Sequence, residues 1–113
     1  MTTCKTPPVV NALKLIGGKW KIAIIYNLKG EPLRFGELKR ILSPITQQML
    51  TKQLREMERD MLVNRKVFEV IPPKVEYSLT EFGKSFKPVL NSLCKWSSNY
   101  EELMETISQD RSA

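Results

Sequence analysis

The residues from Ile45 to Met61, ITQQMLTKQLREMERDM, hold the side chains with the clearest chemistry in this chain. At helical spacing, one face is apolar, and it carries Leu50, Leu54, Met57 and Met61. The opposite face carries a hydroxyl, an amide and cations, namely Gln48, Thr51, Lys52, Arg55 and Arg59. Amides and guanidinium groups match base edges in a major groove, and cations match phosphates. The alternative for such a helix taken alone is an ordinary solvated surface.

Composition supports a polyanionic partner. The 113 residues carry a net charge of +6, and residues 1–59 hold 11 Lys/Arg against 4 Asp/Glu, whereas residues 100–113 hold 1 against 4. The length predicts a single domain over residues 1–113. No apolar run reaches the roughly 20 residues of a membrane span, and no signal peptide is apparent, so we expect a cytoplasmic protein without a membrane partner.

The sequence lacks residues that several kinds of catalytic and metal-binding sites require. The chain has no histidine, and its two cysteines, Cys4 and Cys94, cannot make a four-ligand zinc site alone. The five glycines match neither dinucleotide- nor nucleotide-binding loops. We therefore expect no enzymatic activity, no cofactor and no metal.

The elements around the polar helix predict a helix-turn-helix over residues 35–61. Helices are expected over VVNALKLI, which Gly17-Gly18 would end, and over about Lys19–Lys29. A two-turn helix follows, with Phe35, Leu38, Ile41 and Leu42 predicted inward. Ser43-Pro44 breaks this helix, and Thr46 is a candidate N-cap for the next one. A short helix, a tight turn and a helix with groove-compatible side chains is the helix-turn-helix arrangement.

Residues 62–79 change from helical to alternating periodicity. Leu62–Ile71 and Lys74–Leu79 are β-rich, and Pro72-Pro73 between them predicts the turn of a hairpin. A hairpin directly after a helix-turn-helix is a wing. The fold class is therefore mainly α with a small β-hairpin (α+β), a winged helix-turn-helix.

A last helix is predicted over residues 80–108, capped by Thr80. Apolar residues follow each other there at alternating spacings of four and three, as in a heptad seam. The simpler interpretation is a helix packed along its own domain, but so long a seam favours a dimer formed by the terminal helices. The predicted interface comprises Val9, Leu13, Phe86, Val89, Leu93, Trp96, Tyr100, Leu103 and Ile107. Pro88 would kink or restart this helix.

Four segments together resemble the HxlR-type transcriptional regulators. They are Gly18-Lys19-Trp20, Arg34-Phe35-x-Glu37-Leu38, Ile45-Thr46-x-x-x-Leu50-Thr51-x-x-Leu54-x-x-Met57-Glu58 and Pro72-Pro73-x-Val75-Glu76-Tyr77-x-Leu79-Thr80-x-x-Gly83. The resemblance spans about residues 4–97. It implies a dimeric winged helix-turn-helix protein, related in fold to the MarR group, that binds a pseudo-palindromic operator. Relatives usually carry Ser where Thr46 stands and often Lys where Gln48 stands, so the preferred DNA sequence is expected to differ.

The expected function is sequence-specific binding of double-stranded DNA by a homodimeric regulator, with repression favoured over activation. Groove contacts are assigned to Gln47, Gln48, Thr51, Lys52 and Arg55, whereas Arg59 is expected to lie too far along the helix to reach bases. The Thr46 hydroxyl is assigned a hydrogen bond to phosphate in addition to its cap. Phosphate contacts are assigned to Arg34, Lys39 and Arg40, and wing contacts to Lys66 and Lys74. Glu37 and Glu76 are predicted to cap or to pair with basic residues.

The resemblance also suggests an oxidant or electrophile sensor at Cys4, beside Lys5; an inert thiol is the alternative. The effector, whether an oxidant or a small molecule, is not identified by the sequence. Cys94 is predicted to be a small core residue. Three other functions stay open: an antirepressor-like protein-interaction module, a thiol redox enzyme, which the lack of C-x-x-C opposes, and double-stranded RNA binding.

Overall fold

A computed structural model describes residues 7–112, in which helices alternate with a three-stranded antiparallel sheet. The elements are α1 (Pro8–Ile16), α2 (Lys19–Leu28), β1 (Leu33–Arg34), α3 (Phe35–Ile41), α4 (Gln47–Arg59), β2 (Val63–Phe68), β3 (Lys74–Leu79), α5 (Glu81–Lys84), α6 (Lys87–Asn99) and α7 (Glu101–Ser112). The predicted winged helix-turn-helix is confirmed: α3 and α4 are the helix-turn-helix, and β2 and β3 are the wing.

The sheet contains one strand more than the two-stranded hairpin expected from the sequence. β1 pairs with β3 through Leu33 opposite Tyr77 and Arg34 opposite Glu76, so the strand order is β1-β3-β2. The two residues of β1 are too few for an alternating pattern to be recognised. Their pairing ties the start of α3 to the wing and so fixes the wing relative to the helix-turn-helix.

One apolar core joins α2, α3, α4 and the sheet. Its best-buried side chains lie on these elements and in the turn after α4: Ile24, Ile25, Leu38, Leu50, Leu54, Met57 and Leu62. From α6 only Leu90 is buried, and α7 buries none of its described side chains. The core therefore supports the helix-turn-helix and leaves the C-terminal helices largely outside it.

Two predicted core positions are wrong. Ile41 is 51% exposed, because the core-facing stripe of α3 runs along Phe35, Leu38 and Leu42 and leaves Ile41 at its edge. Met61 is 70% exposed, because α4 ends at Arg59. Met61 itself adopts a left-handed conformation with φ of 63°, and the turn brings Leu62 into the core in its place.

The turn after α4 has the hydrogen bonds of a Schellman motif. The Leu62 amide donates to the Met57 carbonyl at 2.8 Å, and the Met61 amide donates to the Glu58 carbonyl at 3.0 Å. Thr80 holds the turn from the other side, since its hydroxyl donates to the Met61 carbonyl at 2.6 Å and accepts from the Gly83 amide at 2.9 Å. Thr80 is thus the predicted N-cap, here of α5.

The single helix predicted over residues 80–108 is wrong, since three helices cover this stretch. A new helix, α6, begins with Pro88 in its first turn, which agrees with the helix restart predicted at that proline. A second break falls at Tyr100, where φ and ψ are −126° and 37°. Ser97, Ser98 and Asn99 precede this break, and their side chains compete for backbone hydrogen bonds and weaken a helix. None of the described helices is long and apolar enough to cross a membrane.

Candidate nucleic-acid interface

The start of α4 is fixed by a side-chain cap. Thr46 precedes the helix in an extended conformation, and its Oγ1 accepts a hydrogen bond from the Met49 amide at 3.1 Å. This confirms the predicted N-cap. Because Ile45 just before it is buried, the first turn of α4 is held at a defined height above the core, with Gln47 and Gln48 at the surface.

The polar face of α4 forms one continuous surface. A concavity of about 850 Å³ is lined by Thr46, Gln47, Gln48, Thr51, Lys52, Arg55, Glu56 and Arg59. All five residues predicted to enter a groove are among them, and so is Thr46. Within residues 7–112, no hydrogen bond or ion pair engages the side chains of Gln47, Gln48 or Arg55, so their polar ends are available to a ligand.

A second concavity, of about 480 Å³, lies between α4 and the wing. Gln47, Thr51, Arg55 and Glu58 line it from α4. Phe35 lines it from α3, and Arg65, Val75 and Tyr77 line it from the sheet. Arg65 stands opposite Tyr77 in the strand register, and Tyr77 is buried, so both lie on the sheet face that is turned towards α4. The sequence-based assignment of wing contacts omitted Arg65, although strand alternation places it on this face.

Lys66 and Lys74, the predicted wing contacts, lie on the opposite face of the sheet from Arg65. The Lys66 ammonium is 4.8 Å and the Lys74 ammonium 4.4 Å from the centre of the Phe68 ring. Lys74 also pairs with Glu76 at 3.4 Å, as predicted for that glutamate. The two lysines therefore flank the wing and do not share the surface formed by α4 and Arg65.

The predicted phosphate contacts are separate from both concavities. Arg34 lies in β1, and its backbone amide donates to Glu37 Oε1 at 2.9 Å, which confirms the structural role predicted for Glu37. Lys39 and Arg40 are exposed in the last turn of α3. These three cations lie on β1 and α3, the two elements before α4, and their contact with phosphate stays a prediction.

One acidic residue belongs to the polar face and was missing from the sequence-based description of it. Glu56 lines the concavity, and its Oε1 lies 2.7 Å from Lys21 Nζ of α2. The hydrogen bond and the charge of Lys21 lower the pKa of Glu56, and Lys52 and Arg59 act in the same direction. The carboxylate is therefore ionised at neutral pH.

The predicted interface residues are mostly exposed in the single chain. Val9 and Leu13 of α1 are exposed, as are Val89, Leu93 and Trp96 of α6, Tyr100 at the break, and Leu103 and Ile107 of α7. Phe86 differs, since it is partly buried against the chain's own core. Together these residues leave a large apolar surface away from α4.

Neither cysteine occupies a described buried site. Cys4 lies outside the described residues. Cys94 was predicted to be a core residue, and this is wrong: it is a free, exposed thiol on α6, beside a groove that α2 lines from the other side. Because α6 contributes only Leu90 to the core, the residues next to the seam remain at the surface. No group of side chains suited to a metal ion occurs within residues 7–112.

Comparisons with known proteins agree on the same kind of protein. The family model described as HxlR-like helix-turn-helix matches residues 15–105. The HTH-type transcriptional regulator YdeP of Bacillus subtilis (strain 168) is 44% identical over 106 residues, which are 94% of this chain and 83% of YdeP.

Solved structures of the redox regulator HypR are similar as well. Its reduced form has a TM-score of 0.84 and 45% identity, covering 88% of this chain and 99% of HypR. Its oxidised form has a TM-score of 0.78 and 47% identity, covering 82% and 96%. The chain therefore belongs to the HxlR family of winged helix-turn-helix, DNA-binding transcriptional regulators.

Proposed function

We propose that this regulator is a homodimeric repressor that inserts α4 into successive major grooves of a pseudo-palindromic operator. The observation that carries the proposal is the polar face of α4, where capped helix geometry presents unpartnered amide and guanidinium groups. A two-fold axis would place the two α4 helices about 34 Å apart, one turn of B-DNA. Such a regulator acts where its operator lies, so we place its action in the cytoplasm.

The two concavities guide the proposed assignment of contacts to bases and to phosphates. Gln47 and Gln48 read base edges near the start of α4, since an amide can donate to and accept from adenine at once. Thr51 and Lys52 contact the groove beside them. Arg55 and Arg65 share the space between α4 and the wing with Glu58, and two guanidinium groups against one carboxylate leave a net positive charge for a phosphate backbone. Arg34, Lys39, Arg40, Lys66 and Lys74 supply flanking phosphate contacts.

Dimerisation is proposed to use the exposed apolar residues of α1, α6 and α7. Trp96 and Tyr100 stand at the middle of this surface, with ring centroids 6.5 Å apart, and both are more than half exposed. Aromatic side chains of this size favour a contact that removes them from water. A second copy of the chain is the partner proposed here, because an operator with two half-sites requires two reading helices.

A thiol response is proposed for Cys4, since HypR is a redox regulator and this chain resembles both of its forms. No enzymatic activity is proposed, because the chain has no histidine and no phosphate-binding glycine loop. The Cys4→Ser variant should lose an oxidant-induced change in DNA binding, whereas Cys94→Ser, the matched control, should keep it. An oxidant response retained by Cys4→Ser would remove Cys4 from the mechanism.

A salt-titrated gel shift on the DNA upstream of the chain's own gene tests the proposed function. A random duplex of equal length and composition is the control. We expect binding to the upstream DNA about 10³-fold tighter or more than to the control, with affinity falling steeply as salt rises. Equal binding to both duplexes, or no binding to either, would contradict a specific repressor and favour the protein-interaction module.

A further inference from the structure

The ion pair between Lys21 and Glu56 stands apart from the other ion pairs of the structure. It joins α2 to α4 across 35 positions of sequence, and its side chains are only 12% and 27% exposed. The other pairs found within residues 7–112 connect residues at most three positions apart: Arg59 with Asp60, Lys74 with Glu76, and Lys84 with Glu81. The Lys21 pair is thus a link between two elements, at the edge of the DNA-facing surface.

The position of Glu56 makes it unfavourable for binding DNA. It lines the same concavity as Gln48, Lys52 and Arg55, where a phosphate backbone would approach. An unneutralised carboxylate there would repel phosphates. It would also attract Lys52, one helical turn earlier on the same face, because residues four apart on a helix are within reach of each other.

Lys21 counteracts both effects. Its ammonium contacts Glu56 at 2.7 Å from the α2 side and compensates the negative charge without using a cation of α4. We propose that Lys21 is a positioning residue for DNA binding, which holds Glu56 against α2 and leaves Lys52 and Arg55 free to meet the DNA. This inference rests on the proposed use of the α4 face.

If the ion pair were purely structural, a different result would be expected. The two cases differ in how removing Glu56 changes the affinity for DNA. If the pair only stabilised the packing of α2 on α4, then removing either partner would damage the helix and weaken DNA binding alike. If Lys21 acts by neutralising Glu56, then removing Lys21 weakens binding but removing Glu56 does not. Lys21→Met removes the donor of this contact, whereas Glu56→Gln keeps an amide oxygen that can still accept from Lys21, so Glu56→Gln should lower thermal stability less than Lys21→Met.

The experiment measures operator affinity of the full chain for Lys21→Met, Glu56→Gln and the double variant. We expect Lys21→Met to bind roughly three- to tenfold more weakly, from repulsion between one carboxylate and nearby phosphates. Glu56→Gln should bind at least as tightly as the wild type, and the double variant should recover to within about twofold. The Lys21→Met deficit should shrink as salt is raised, because screening weakens charge repulsion.

Two controls isolate the cause. Lys29→Met removes an equal charge from the end of α2, where the ammonium lies over the Tyr26 ring, and should leave affinity within about twofold. Lys21→Arg keeps the charge and should bind like the wild type. If Lys21→Met folds poorly, Glu56→Gln alone still decides, since weaker binding by that variant would overturn the inference.

Arg55→Met separates the inference from the proposed function. Weaker binding by Arg55→Met with unchanged binding by Lys21→Met would overturn the role of Lys21 alone. Unchanged binding by Arg55→Met would overturn the use of the α4 face, and the role of Lys21 with it. Equal losses for Lys21→Met and Glu56→Gln that the double variant does not restore would show a structural ion pair.

Discussion

α4, α6 and α7 are helices of similar length, with 13, 13 and 12 residues, yet α4 relates to the core differently from the other two. α4 buries Leu50, Leu54 and Met57 almost completely and presents polar groups to solvent. α6 buries Leu90 alone, α7 buries none of its described side chains, and the two helices expose Trp96 and Leu103 instead. The packing of α4 is complete within one chain, whereas the apolar side chains of α6–α7 remain exposed in the single chain.

This contrast fits the two tasks proposed for these regions, DNA reading by α4 and dimerisation by α6–α7. A helix that reads DNA must be held rigidly, because contacts to base edges need positions accurate to a fraction of an ångström. A helix that associates with a second copy keeps its apolar surface outside the core of its own chain. The predictions below test whether the two regions differ in this way.

The largest effect is expected from truncating a buried leucine of α4. Leu54→Ala should lower the free energy of unfolding by about 2–5 kcal/mol, since it removes packed methyl groups and leaves a cavity. Leu103→Ala is the matched control on α7, and at concentrations where the chain is monomeric it should change stability by less than about 0.5 kcal/mol. Denaturant titration measures both. An equal cost for Leu103→Ala in the monomer would show that α7 packs on its own chain.

For dimerisation, unlike stability, we expect the large effect from truncating an exposed side chain of α6. Trp96→Ala should weaken dimerisation by about 2 kcal/mol or more, because large aromatic side chains at the centre of an interface contribute most of its energy. Ile71→Ala removes an apolar group that is more exposed than Trp96 from the tip of the wing and should leave the monomer–dimer equilibrium unchanged. Sedimentation equilibrium without DNA reports both values. A dimer as stable in Trp96→Ala as in the wild type would place the interface elsewhere.

A smaller and more selective effect is expected on the exposed face of α4. The Gln47→Ala/Gln48→Ala double variant should lose about 1–3 kcal/mol of discrimination between operator and random DNA for each bidentate contact removed. Gln53→Ala is the matched control, since Gln53 lies on the same helix and its amide contacts Met49 rather than the concavity. Competition binding separates specific from random affinity. Equal losses on both DNAs would mean that the glutamines contribute affinity and not sequence preference.

The sequence predicted α4 better than it predicted α6–α7, and the reason is physical. The apolar stripe, the hydroxyl cap at Thr46 and the proline break before it act locally, so the core face and the polar face of α4 followed from spacing. The heptad pattern from Phe82 to Ile107 is equally regular, but regular spacing does not reveal the break at Tyr100. That break depends on the weak helix formers before it, which a hydrophobic pattern leaves out.

Features that depend on distant parts of the chain were the hardest to predict. β1 exists because two residues pair with β3, and no local pattern marks so short a strand. The Lys21–Glu56 pair joins residues 35 positions apart and no local pattern predicts it, whereas helical spacing alone, four residues after Lys52, could have placed Glu56 on the polar face. Arg65 was omitted as well, and its place beside α4 follows from its register opposite the buried Tyr77.

The smallest effect is expected at the residues that follow the ends of two helices, Met61 after α4 and Tyr100 after α6. α4 ends in a Schellman turn whose left-handed residue is Met61, a position where a side chain costs about 1–2 kcal/mol and glycine is usual. Met61→Gly should therefore raise the free energy of unfolding by about 0.5–1 kcal/mol, after subtraction of the greater unfolded-state entropy of glycine. Because Met61 is mostly exposed, little packing is lost with its side chain.

The break at Tyr100 provides the matched control for this substitution. Its φ is negative, so Tyr100→Gly relieves no strain there and should leave the monomer no more stable than the wild type. Thermal unfolding at low protein concentration compares the two variants. A gain for Met61→Gly alone would show that α4 tolerates backbone strain at its end because the Thr80 and Leu62 hydrogen bonds hold the turn closed. A loss for Met61→Gly would instead mean that the Met61 side chain has a stabilising contact that its exposure does not suggest.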